Sequence, residues 1–296
     1  MSRMEFGLVL PSMPDGASAE GIEAAAEAAE RLGWASVWTT DHVLVPRSAA
    51  AEYGRIFEAI VTLGYVAGRH PRVRLGTSVI VVPQRNAVVL AKELATLDVL
   101  SRGRVIAGVG VGWIRVEFGN LGAADRFVAR GAYLDETIAL WRHLWGGSGD
   151  PFAGRFHRFD DAVFGPLPIS GAALPIWIGG RRAPALRRAG RLGDGYHSSA
   201  SSPADYEPRL PIIRAAAEAA GRPMPVLSAR VQVRFDEPAG GFYALRGSPE
   251  AMAGDLRSFA RLGVREIELA FGHTDPARAV AAIERFDREV VPLLRV

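Results

Sequence analysis

The residues best suited to chemistry fall at the ends of strand-like runs. Asp41 and His42 close the run VWTTDH. A histidine there hydrogen-bonds a reacting oxygen or shuttles a proton near neutral pH, and the aspartate orients a loop or accepts from a ring N–H. The alternative is a capped loop in which both satisfy backbone groups. Thr77, Ser78 and Val79 lie near the end of LGTSVIVV, where backbone either packs under a planar ring or forms an ordinary buried strand. Gly108, Gly110 and Gly112 alternate in AGVGVGW before Trp113. Alternating glycines admit a large ring close to the backbone, and they equally serve tight packing in a narrow barrel. The spacing misses GxGxxG, which rejects a Rossmann fingerprint. The run IWIGGRRAPALRRAG carries a strand through Gly179, Gly180, Arg181 and Arg182 into a helix. Glycine amides and guanidinium groups at a helix start form a phosphate seat, with a plain turn as the alternative.

Other chemistries lack their residues. His197, Ser198 and Ser199 follow a sixth strand and are expected to line the same mouth, whereas His70, His143 and His157 read as surface or packing residues. No His-x-His or HExxH pair supports a metal site. Lys92 lies mid-helix, away from where a Schiff base would form. There is no GxSxG, and the sequence pairs neither Glu117 nor Asp194 with a partner, so a hydrolase is neither placed nor excluded. A glycine-lined mouth, a phosphate seat and few nucleophiles suit a bound cofactor that does the chemistry.

The elements that must position these residues alternate. Strands are expected near 5–10, 35–39, 73–80, 104–109, 175–178, 195–198, 225–233 and 265–270. Helices with apolar residues at helical spacing are expected near 18–32, 56–68, 87–100, 126–145, 182–191, 203–220, 249–262 and 276–290. Three helices end in Arg-Leu-Gly before a strand, at Gly33, Gly193 and Gly263, where glycine takes the left-handed conformation that stops a helix. Eight alternations predict an α/β fold, a (βα)8 TIM barrel with insertions at its C-terminal face; a doubly wound open sheet is the alternative. The insertions fall at 147–174 and around 234–247, and are expected to shape a pocket or merely shield the barrel.

The 296 residues are 49% hydrophobic, enough for a large core. No linker separates compositional halves, so residues 1–296 are expected to form one domain. The absence of cysteine removes disulfides and thiol chemistry and fits a reducing cytoplasm. No apolar signal core or membrane-length run appears, which predicts a soluble cytoplasmic protein. The pI is 9.6, but the arginines are scattered without an aromatic-interleaved stripe, so no nucleic-acid role is expected. An anionic cofactor or substrate is compatible with this charge.

The stretch LGTSVIVVPQRNAVVLAKELATLDVLSRGRVIAGVGVGW, with WTTDH, PIWIGG and RRAGRLGDGYH, resembles the bacterial luciferase-like oxidoreductases, especially their actinobacterial branch that uses the deazaflavin F420. The resemblance runs from Phe6 to about His197 and is less distinctive beyond. It implies a barrel with the cofactor ring across the C-terminal mouth and a non-proline cis peptide, Ser78-Val79, beneath it. It implies Asp41 and His42 beside the ring, with His42 acting in proton transfer or substrate orientation. Gly179, Gly180 and Arg181 would hold the phosphate tail, and Thr77, Gly110, Gly112 and Trp113 would complete the cradle. The family's sugar-phosphate dehydrogenases carry a glutamate where this chain has Trp113, so the resemblance implies a less polar, small organic substrate. F420-dependent hydride transfer is the activity implied, with an FMNH2-dependent monooxygenase and a non-catalytic flavin-binding barrel as alternatives, and a homodimer as the assembly.

Overall fold

The computed structural model describes residues 4–13, 17–235, 241–272 and 275–294. Eight parallel strands close into a barrel: β1 Glu5–Val9, β2 Ser36–Thr39, β3 Arg74–Thr77, β4 Val105–Gly110, β5 Ile176–Gly179, β6 Gly195–Ser199, β7 Val226–Phe235 and β8 Glu266–Ala270. Closure comes from β8 pairing with β1, as in Ile267 opposite Phe6. Each strand leads to a helix: α1 Ala19–Arg31, α2 Ala59–Arg69, α3 Ala87–Leu100, α4 Arg126–Trp145, α5 Ala183–Leu192, α6 Leu210–Ala219, α7 Pro249–Arg261 and α8 Pro276–Glu289. All eight predicted alternations are present, and the open-sheet alternative falls away. The third strand stops at Thr77 and resumes for two residues at Ile80–Val81, with a cis Ser78-Val79 bond between.

Strand periodicity divides the core in two. Leu8, Val37, Leu75, Ala107, Ile178, Leu227 and Ile267 pack outward with the helices. Their neighbours point inward, where Val9, Trp38, Ile106 and Trp177 form a separate apolar cluster. Two indoles fit inside a narrow barrel because glycines face them. A methyl on Gly7 would lie 2.8 Å from Trp38 Nε1, one on Gly76 would fall on the Trp38 ring, and one on Gly195 on the Trp177 ring.

The helix-to-strand joints differ from one another. Gly33 and Gly263 adopt φ of +72° and +86°, as the Arg-Leu-Gly repeat predicts. Gly193 does not: its φ is −86°. Glycine is needed there for proximity, since a Cβ would lie 2.8 Å from Ile178 Cγ1 and 2.9 Å from the Ala189 carbonyl oxygen.

The insertion at 147–174 follows α4 and therefore leaves from the face opposite the strand C-termini. Its hairpin, Phe152–Ala153 with Arg158–Phe159, is fastened along α4. Glu136 accepts from the amides of Arg155, Phe156 and His157 at 2.7–2.8 Å, and Asp98 of α3 accepts from Ile169 N. Of the second insertion, 236–240 lie outside the described residues; Ala244–Gly247 pairs with the far end of β7.

Gly76→Ala should destabilise the barrel by more than about 2 kcal/mol, because the indole it strikes is enclosed on all sides. Gly64→Ala, exposed in α2 with no atom within 4 Å of the new methyl, should stabilise it by about 0.5–1 kcal/mol. Urea melts of the two variants check both signs.

Candidate active site

The C-terminal mouth is built around the break in the third strand. The three glycines of AGVGVGW face the three alternate residues of that segment. A Cβ on Gly108 would strike the Thr77 carbonyl oxygen, one on Gly110 would lie 2.6 Å from Val79 Cγ2, and one on Gly112 would lie close against Val81 Cγ1. Gly179 of β5 receives Val79 from the other side, where an added Cβ would lie 2.9 Å from Val79 Cγ1. Thr77 is buried and donates its hydroxyl to the Gly108 carbonyl at 2.7 Å. The alternating glycines thus accommodate the chain's own Thr77-to-Val81 segment, and they hold the cis Ser78-Val79 peptide as a shelf at the mouth.

Asp41 and His42 diverge. The Asp41 carboxylate is buried and accepts from Val81 N at 2.8 Å and from Arg85 Nη2 at 2.6 Å. Arg85 also donates to Glu58, whose other oxygen caps the start of α2 at Val61 N. Asp41 therefore ties the end of β2 to the shelf. His42 turns the other way, with Nδ1 2.9 Å from Glu117 Oε2 while Glu117 Oε1 accepts from Val43 N at 2.8 Å. Burial pushes the Glu117 carboxyl up, but the bonds from His42 and Val43 outweigh it and hold it below its ordinary value. An ionised Glu117 fixes the Nδ1–H tautomer and leaves His42 Nε2 with no bond to a described residue. The Tyr53 ring lies 4.1 Å from the imidazole. Burial, and then the hydrogen bond from its hydroxyl to Glu52, raise the Tyr53 pKa and keep it a phenol.

Beneath the shelf lies a buried polar column. Ser78 Oγ is 2.7 Å from His197 Nε2, and His197 Nδ1 is 2.8 Å from Ser228 Oγ and 3.5 Å from Glu268 Oε2. His197 does not line the mouth: it is 2% exposed, and Trp38 stacks on it at 5.0 Å. Burial, with Arg230 nearby, lowers its pKa to about 3, so the ring is neutral. Glu268 is fully buried with neither oxygen hydrogen-bonded among the described residues, and burial, then the charge of Glu266, raises its pKa well above the usual carboxylate range. Arg230 is the cation above the column. It donates to Thr40 Oγ1 at 2.8 Å and to the Ser78 carbonyl at 2.9 Å.

The remaining predicted residues lie around the rim. Gly180 has φ of +132° and leads to Arg181 and Arg182, both exposed, at the start of α5. Arg182 is the N-cap and makes no side-chain cap; Pro184 has no N–H and the Ala185 amide bonds the Arg182 carbonyl at 2.9 Å, so the helix start offers the Ala183 amide beside two guanidinium groups. Trp113 is 66% exposed just past Gly112. A cavity of about 240 Å³ occupies the β1, β7 and β8 sector, with Val9, Leu10, Met13, Phe271, Arg230 and Gln232 in its wall. Among the described residues, no cluster of three or more His, Asp or Glu could hold a metal, and no helix is long and apolar enough to cross a membrane.

Sequence reasoning left Glu117 without a partner because its partner lies 75 positions away. It missed Tyr53, Arg230 and Glu268, of which Arg230 and Glu268 carried a signal: a charged residue at an inward position of a barrel strand. Asp194 is likewise paired, with Arg142 and Arg222 and the amide of Ile176.

The mouth of this (βα)8 barrel thus combines a cis-peptide shelf, a histidine–carboxylate pair and an arginine-flanked helix start. Residues 4–259 match the family described as luciferase-like monooxygenase, and the chain belongs to that family. It is 33% identical over 214 residues to the F420-dependent glucose-6-phosphate dehydrogenase of Kineococcus radiotolerans, an alignment covering 71% of this chain and 62% of that protein. It is 34% identical over 224 residues to a phthiodiolone/phenolphthiodiolone dimycocerosates ketoreductase of Mycobacterium bovis, covering 69% of this chain and 58% of that one. The chain thus spans about three fifths of the length of these curated relatives. Among solved structures, an F420-dependent secondary alcohol dehydrogenase in complex with an F420-acetone adduct superposes with a TM-score of 0.82 at 19% identity, over 99% of this chain and 100% of that one. The FMN-bound oxygenating constituent of the 3,6-diketocamphane monooxygenase of Pseudomonas putida gives 0.79 at 17% identity, over 98% of each chain. At these identities the structures establish the shared fold.

The raised Glu268 pKa has a consequence for stability. The folded state keeps this carboxyl protonated while the unfolded chain ionises it above its usual pKa, so the wild type loses stability as pH rises. Glu268→Gln, an isostere of the protonated acid, should gain over the wild type by a margin in Tm that widens from pH 5 to pH 8. His197 shifts the other way, and its ring nitrogen NMR shifts should stay those of neutral imidazole down to pH 5.

Proposed function

We propose that this protein is an F420-dependent oxidoreductase that moves a hydride between the deazaflavin and a carbon of a small, partly apolar organic substrate. The observation that carries the reading is that three features meet at one mouth: the Ser78-Val79 shelf, the His42–Glu117 pair and the start of α5 flanked by Arg181 and Arg182. F420-dependent relatives in the same family support it.

The residues fit such a cofactor. The donor set at Gly180, Arg181 and Arg182 suits a phosphate-bearing tail. Ser78 and Val79 would underlie the ring, supported by Thr77, Gly110 and Gly179, with Asp41 bracing the shelf from β2. Gly112 sets the turn that carries Trp113 to the rim, where its indole would wall the site against water. Bound F420 would supply the hydride acceptor or donor. His42, held by Glu117, would present Nε2 to the substrate oxygen and take or give its proton there.

The same donor set suits FMN, whose use with dioxygen would make the protein a monooxygenase; a flavin-binding barrel without turnover is the remaining alternative. We further propose that residues 1–296 act as one domain, in the cytoplasm and as a homodimer. Absence of cysteine supports the compartment, and light scattering tests the assembly.

Fluorescence titration with each cofactor should show micromolar F420 binding and weaker FMN binding; micromolar FMN binding with none for F420 would overturn the proposal. His42→Ala should lower turnover by about 10²-fold or more while leaving F420 affinity within about threefold. Unchanged turnover would remove His42 from the chemistry.

A further inference from the structure

The proposed cradle occupies the mouth from β2 to β6, and the cavity lies in the remaining sector, between β7, β8 and β1. Arg230 stands between the two. All three of its hydrogen bonds leave from Nη1, to Thr40 Oγ1, the Ser78 carbonyl and Ser78 Oγ at 3.4 Å. Each acceptor is neutral, and among the described residues no carboxylate lies within ion-pair distance. Nε and Nη2 bond no described residue, although Arg230 lines the cavity. That free edge of a guanidinium takes a carboxylate side-on, through two parallel N–H···O bonds. Nη1 meanwhile holds the group in plane by its bonds to β2 and the shelf, so little side-chain freedom is lost on binding.

The wall beside it is mixed: Val9, Leu10, Met13 and Phe271 are apolar, and Gln232 and Arg234, hydrogen-bonded to each other at 3.2 Å, line it from β7. Glu52 also lines the cavity, where it is exposed to solvent and accepts from the Tyr53 hydroxyl. We infer that Arg230 is a carboxylate-binding residue, and that the cavity takes a small organic acid with an aliphatic body. Calling that acid the substrate rests on the oxidoreductase reading above; the binding itself does not.

The test uses the whole protein and two probes of equal shape, hexanoate and hexanamide, measured by calorimetry. Hexanoate should bind at least tenfold more tightly than hexanamide. Arg230→Met should abolish that difference, and Arg230→Lys should retain part of it. Equal affinity of acid and amide in the wild type would overturn the inference without need of any variant. So would unchanged hexanoate binding in folded Arg230→Met. Hexanoate binding at Arg230 in a protein that takes up no F420 would uphold this site and overturn the cofactor reading alone.

Discussion

One side chain organises the mouth of this barrel. Val79 drops between β4 and β5 into space that exists only because Gly110 and Gly179 carry no Cβ. With Thr77 against Gly108 and Val81 against Gly112, the segment after β3 locks into β4 at every second residue. Interiors packed to this density do not yield to small displacements, so the Ser78-Val79 peptide is held by its surroundings and needs no ligand to position it. Asp41 adds a fastening from β2 through Val81 and Arg85. A surface preorganised in this way spends little binding energy on ordering itself when a planar group settles on it.

Charge follows the same division. Below the shelf, His197 is neutral and Glu268 protonated, both because burial disfavours their charged forms. At the shelf itself stands Arg230, which donates to the Ser78 carbonyl, while the buried Glu117 carboxylate holds His42 and Val43 away from it. The buried Asp41 and Glu117 carboxylates brace the residues around the mouth, and Arg230 keeps Nε and Nη2 unbonded to described residues beside the cavity. Aromatic mass below supports this arrangement: Trp38 and Trp177 fill the barrel under the shelf and stack on or near His197.

The local pattern carried most of the architecture. Hydrophobic periodicity located all eight strands and their helices, and Arg-Leu-Gly located two left-handed joints; at Gly193 the same letters serve a close approach. What was not legible was pairing at a distance. Asp41 and His42 are adjacent in sequence, yet one holds the shelf and the other meets Glu117, because successive residues leave a strand end in opposite directions. His197 looked like a mouth residue from its place at the end of β6, but its side chain points inward to the layer beneath Ser78. The alternating glycines admitted two explanations, and the structure shows what fills the space they leave: the chain itself.

We propose that this rigid shelf, with the arginines at the start of α5, forms a cofactor cradle. A crystal structure of the protein with F420 tests it most directly. The deazaflavin ring should lie in van der Waals contact with the Ser78-Val79 peptide, and a phosphate should meet the amides and guanidinium groups of Gly180 to Ala183. A ring bound away from the shelf, or a phosphate that touches neither Arg181 nor Arg182, would contradict the account.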